Sequence, residues 1–199
     1  METPQNYKQV IRRFEESPEE IREYFPDFPR LVAGFNWDVA VGYVFSRIEY
    51  AKRMTIYCGL VKIWQAEKDM AWKFVTNEYL SRRRFLTLFD AVFGTAIPKE
   101  IIQKLKGAEA VRDQLMHGKA WEQAEVRRAL ALVLDFALEF NGFVEGSEGA
   151  FRPFGKLQGF KGAGKALSVR LTEIVLLGIS KKASPKETSS HGGQTIGIE

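Results

Sequence analysis

From Asn36 to about Trp64 apolar side chains recur at a helical period without interruption. Ala40, Val44, Ala51, Met54, Cys58, Val61 and Trp64 form one stripe, and Val41, Phe45 and Ile48 widen it. A stripe that broad needs burial on more than one side, which places this helix at the centre of a bundle. Asn36 is a candidate N-cap, and Gly42 and Gly59 mark points of close packing or a kink. No stretch of the chain sustains a period of two between turn signals, so the expected fold class is all-α with little or no sheet.

The other elements read as a frame around that helix. Val10, Ile11 and Phe14 give Tyr7 to Glu16 a helical face. Ser17-Pro18-Glu19-Glu20 is a helix start with a capping box, cut short by Pro26 and Pro29. Residues 25–35 are expected to form an irregular connector with a turn of helix at most. More helix is expected over 68–94, broken near Asn77, with Arg82-Arg83-Arg84 as a solvated basic turn or a phosphate contact. Gly94 to Pro98 is a break. Two short helices, Pro98 to Lys106 and Ala108 to His117, should follow, then a long one from Trp121 to about Phe143. In that last helix Asp135 and Glu139 read as a solvated face. A helix from about Gly164 to Leu177 would dock through Leu167, Leu171, Ile174 and Val175. The organisation expected is an N-terminal helical extension (1–35), a helical bundle (36–180) and a disordered tail (181–199), with order lost from about Ala183.

Composition sets the limits. Hydrophobic residues make up 45% and charged residues 27% of the 199, enough apolar material for one ordinary core. The net charge of +4 is uneven: residues 150–199 hold eight Lys/Arg against three Asp/Glu, leaving 21 against 22 in the first 149. Basicity in the last quarter is compatible with an anionic polymer as partner. The single cysteine, Cys58, cannot form an internal disulfide and reads as a small buried hydrophobe of a reducing compartment. The start of the chain is polar and acidic, unlike a signal peptide, and the best apolar run, Ala129 to Phe140, is too short for a bilayer. A cytoplasmic location without membrane contact is expected.

Candidate chemistry concentrates in Arg112-Asp113-Gln114-Leu115-Met116-His117-Gly118-Lys119, which holds the only histidine outside the tail. Gly118 suggests that a helix ends there. Histidine is the side chain suited to move protons at neutral pH, and arginine's planar fork matches two phosphate oxygens. Asp113 and His117 are four apart, so the carboxylate could orient the imidazole. Arg112 and His117 are five apart, about 140° around an ideal helix. They meet on one phosphate if the helix loosens at its end or if a second chain brings its own pair. In the bland alternative, His117 merely suits a helix C-terminus and Arg112 pairs with Glu109.

Arg112-Asp113 followed by three residues and His117 resembles the signature of the HEPN superfamily: arginine, a polar residue, and a histidine after four to six intervening positions. Its place between two helices, in an all-helical setting over roughly residues 36–145, is also similar. The resemblance implies a HEPN-like bundle that dimerises. One reading it implies is a metal-independent endoribonuclease, with Arg112 as phosphate clamp, His117 as general acid/base, Asp113 as orienter and Lys119 as a further RNA contact. The other is a non-catalytic module binding a protein partner or nucleotide, as in a toxin–antitoxin or defence system with an antitoxin or nucleotidyltransferase-type partner. Neither reading calls for a cofactor.

A second motif, Gly159 to Ala166, nearly matches the phosphate-cradling loop G-x-x-x-x-G-K-[ST]. Ala166 replaces the hydroxyl that would hold Mg²⁺, and no buried strand precedes it. It reads as a basic connector, with Lys161 and Lys165 as candidate RNA contacts and Phe160 available to stack. One cysteine and one histidine in the folded part do not suffice for a zinc site, so no metal site is expected.

Overall fold

The computed structural model describes residues 3–147, 151–155, 157 and 164–184, and 72% of these described residues are helical. Nine helices follow one another among the described residues: α1 (Tyr7–Glu15), α2 (Glu19–Tyr24), α3 (Phe28–Ala33), α4 (Trp37–Lys62), α5 (Lys68–Asn77), α6 (Arg82–Phe93), α7 (Lys99–Met116), α8 (Gln123–Glu145) and α9 (Val169–Lys182). No strand forms among these residues, and the all-α expectation holds.

α4 is the central helix. It packs on α3, α5, α6, α7 and α8, as its wide apolar stripe requires. Gly59 is where α6 comes closest: a Cβ there would lie 2.5 Å from Val92 Cγ1 and 2.7 Å from Phe93 Cζ. A larger residue would force both side chains away. Gly42, by contrast, faces open space. Asn36 occupies the N-cap position of α4 but makes no side-chain cap bond. Cys58 is fully buried, and desolvation pushes its thiol up to about 12. An aromatic disulfide reagent at pH 8 should therefore leave Cys58 unmodified in the native protein and react with it fully in denaturant. Rapid native labelling would contradict this packing.

α7 and α8 form the most extensive helix pair. The two short helices expected over 98–117 are one. Gly107 does not interrupt α7; its missing side chain leaves room for Leu132 of α8, whose Cδ1 would lie 3.1 Å from a Cβ there. Asp135 and Glu139 are not a purely solvated face either. Arg13 of α1 pairs with Asp135, and Lys104 of α7 donates to Glu139 at 2.7 Å, so each carboxylate ties a neighbouring helix to α8. α8 begins at Gln123 rather than Trp121 because Glu122 and Glu125 form a reciprocal capping box.

The first 35 residues share the main core. Val10, Phe14, Ile21, Phe25, Phe28 and Val32 belong to the same buried cluster as α4 and α8. The connector expected over 25–35 holds the six-residue α3, longer than one turn, since Pro29 sits in its first turn where no amide donor is needed. After α8, the Asn141 side chain donates to the Phe154 carbonyl at 2.6 Å and accepts from the Phe154 amide at 2.7 Å. That buried clasp pins Phe151 and Phe154 into the core.

The last helix differs most from expectation. Ser168 caps α9 through Leu171 N–H, so the helix starts later than Gly164 and runs to Lys182. The face it buries is Thr172, Leu176 and Ile179, while Leu171 and Ile174 are at least half exposed and Val175 is half-buried. Ala183 is buried and its carbonyl accepts from Arg84. The remainder of the expected tail, from residue 185, lies outside the described residues. No described helix is long and apolar enough to cross a membrane.

Candidate phosphate-binding cleft

The octapeptide sits at the end of α7, and the termination is regular. Gly118 takes a left-handed conformation (φ 64°), its N–H reaches Leu115 O at 3.1 Å, and Lys119 N–H reaches Gln114 O at 3.0 Å. This Schellman pattern needs glycine at that φ and keeps α7 helical through Met116. One of the two routes for bringing Arg112 and His117 together, a loosened helix end, is thereby absent. In a single chain the two side chains leave α7 in different directions.

Arg112 points into a cleft of about 650 Å³ formed by α4, the α5–α6 connection and α7. The walls carry five cations (Lys52, Arg53, Arg82, Arg83, Arg112) and three carboxylates (Glu49, Glu109, Asp113). Each carboxylate has taken one cation. Lys52 Nζ lies 2.7 Å from Glu49 Oε1, Arg82 pairs with Glu109, and Arg112 donates to Asp113 Oδ1 from Nε at 3.0 Å and Nη2 at 2.7 Å. Two cations are left over. Among the described residues neither Arg53 nor Arg83 has an ion-pair partner, and the Nε of Arg53 is buried without a hydrogen bond. A buried unpaired guanidinium donor is costly. The lining therefore carries more cationic than anionic side chains, an electrostatic setting suited to an anion.

Arg112 is held for such a role. Its guanidinium carbon lies 4.8 Å from the centre of the Phe45 ring, and Asp113 takes two of its five N–H donors. The pairing of Arg112 with Glu109 does not occur, because Arg82 reaches Glu109 from α6. Asp113 does not orient His117; its carboxylate positions Arg112 instead. The imidazole is exposed, does not line the cleft, and makes no hydrogen bond among the described residues. Lys119 and Lys165 are exposed and likewise do not line the cleft, and Lys161 lies outside the described residues.

The basic triplet at the start of α6 divides by direction. Arg82 turns to Glu109. Arg84 is clamped by Glu78 at 2.9 and 2.8 Å and reaches Ser180 Oγ and Ala183 O, and Arg83 remains exposed. Lys52, Arg53 and Glu49 were not singled out from the sequence. Their signal was present, as polar residues at helical spacing inside an apolar stripe, which mark the side of α4 that faces a cleft.

Comparison of the chain with family models, with curated proteins and with solved structures returned no match.

Proposed function

We propose that this protein is a metal-independent endoribonuclease whose site is completed by a second copy of the chain, in line with its HEPN-like motif. The observation that carries the reading is Arg112, braced by Asp113 and Phe45 in a cleft with unpaired cationic charge, on the same helix that ends in an exposed, uncommitted His117. Arg112 keeps three N–H donors beyond those given to Asp113, enough for two phosphate oxygens. Around His117 the exposed side chains include Met116, 72% accessible, and Trp121. Apolar residues beside a polar tip suit burial against a twofold-related copy, which would bring two imidazoles to one phosphodiester.

Two histidines are what the chemistry uses. One accepts the proton of the ribose 2′-hydroxyl as that oxygen bonds to phosphorus; the other donates a proton to the 5′-oxygen as its bond to phosphorus breaks. Arg112 stabilises the charge gathered on the non-bridging oxygens, and Asp113 keeps Arg112 in place. The products are a 2′,3′-cyclic phosphate and a 5′-hydroxyl. Incubation of the protein with mixed-sequence RNA in excess chelator should yield fragments with those ends, and 2′-deoxy oligonucleotides should survive. Intact RNA after such treatment would reject the nuclease reading. One observation favours a non-catalytic binding module instead: among the described residues His117 has no orienting partner. Absent cleavage with retained RNA binding is the result that module predicts.

A further inference from the structure

The connection from α5 to α6 holds an aromatic ring out at the mouth of the cleft. Tyr79 lines the cleft and is 86% accessible, the most exposed large apolar residue among those described. Its exposure is not that of a slack loop tip. Glu78 on one side is gripped by both arms of Arg84 at 2.9 and 2.8 Å, and Arg84 is itself tied to α9 through Ser180 and Ala183. On the other side Leu80 is buried and Ser81 caps α6 by accepting from Arg84 N–H. The Ser81 N–H also returns to the Tyr79 carbonyl at 3.0 Å. The backbone on both sides of the ring is therefore anchored while the ring stands in solvent.

The same cleft is lined by the two cations that, among the described residues, have no ion-pair partner, Arg53 and Arg83. An exposed aromatic face in one cleft with uncompensated guanidinium groups is the minimal equipment for one nucleotide of a single strand, with base on ring and phosphate on arginine. In duplexes the bases are already stacked on one another and offer no free face to a single protruding ring. We propose that Tyr79, Arg83 and Arg53 form a single-stranded nucleotide subsite, with the base stacked on Tyr79 and its phosphate held by Arg83 and Arg53, and Arg112 gripping a neighbouring phosphate. The subsite rests on the nuclease reading only in the identity of the polymer, RNA; its own parts are separate from His117.

The test uses full-length protein and two fluorescent probes, a single-stranded 2′-deoxy oligonucleotide that cannot be cleaved by 2′-hydroxyl attack and the same sequence as a duplex. Binding is followed by anisotropy across a salt series. The single strand should bind more tightly than the duplex. Tyr79→Ala should weaken single-strand binding about five- to a hundred-fold, the range of one lost stack, with the salt slope unchanged. Arg83→Gln, at an exposed position, should instead reduce the slope of log K against log salt by about 0.7, one phosphate contact. Arg53→Gln should do the same.

Equal affinity for the duplex, wild-type binding by Tyr79→Ala, an unchanged slope in Arg83→Gln, or no single-strand binding at all would each overturn the subsite. Cleavage of RNA with no effect of Tyr79→Ala on binding would leave the nuclease standing and remove the subsite. Tyr79-dependent binding without any RNA cleavage would do the reverse.

Discussion

Replacing His117 with alanine should lower RNA cleavage by about 10²- to 10⁴-fold, the usual contribution of a positioned general acid or base, while leaving RNA affinity near that of the wild type. The separation follows from the geometry: the anchoring charges lie in the cleft, which His117 does not line. Arg112→Ala should lose both cleavage and affinity, since Arg112 is part of the cleft wall. A second measurement follows from the regular end of α7. With no unwinding to bring Arg112 and His117 together within one chain, activity should require a dimer. Cleavage per chain should then fall on dilution in step with dimer dissociation, observed by sedimentation over the same concentrations. Constant activity per chain in a protein that sediments as a monomer would end the composite-site model, and wild-type cleavage by a folded His117→Ala protein would end the assignment of the histidine.

Glu49→Ala should destabilise the fold by about 2–3 kcal/mol, while Lys52→Met should stay within about 1 kcal/mol of the wild type. Lys52 is only 2% exposed, and its ammonium is held 2.7 Å from Glu49 and 5.7 Å from the centre of the Phe85 ring. Removing Glu49 strands a charge in a place that water reaches poorly. The full cost of breaking a buried pair is about 3–5 kcal/mol, reduced here because the Glu49 side chain is 33% exposed and solvent can approach from that side. Lys52→Met removes the charge and keeps an unbranched apolar stem against Phe85, so the packing survives. In a chain of this size the Glu49 variant should melt about 4–12 °C lower. Melting of Glu49→Ala together with the wild type would show that the pair contributes nothing to folding.

Both experiments concern a cleft whose parts were only half legible. The helical content, the break after Asn77, the stop at Gly118 and the burial of Cys58 were readable because each is local. A 3.6-residue period, a left-handed glycine and a capping hydroxyl act within a turn or two of the residue that carries them. Where two local signals compete, the reading slips. Gly107 looks like a breaker until α8 is beside it, α9 begins where Ser168 caps it, and its packing on α5 and α6 buries Thr172, Leu176 and Ile179 and leaves Leu171 and Ile174 facing solvent.

By itself the sequence determined that this chain is a helical bundle with a long apolar centre, and that Arg112, Asp113 and His117 occupy the end of one helix. Tertiary structure alone decided which charges remain free. Glu109 is spent on Arg82, Asp113 braces Arg112 and leaves His117 unattended, and Glu49 neutralises Lys52. Arg53 and Arg83, from helices that meet only in the folded molecule, have no ion-pair partner among the described residues. The reason is physical: helix formation is governed by interactions between near neighbours in the chain, whereas an ion pair forms between whichever side chains the packing of apolar faces brings within a few ångströms, and the charge left over is what a ligand can use.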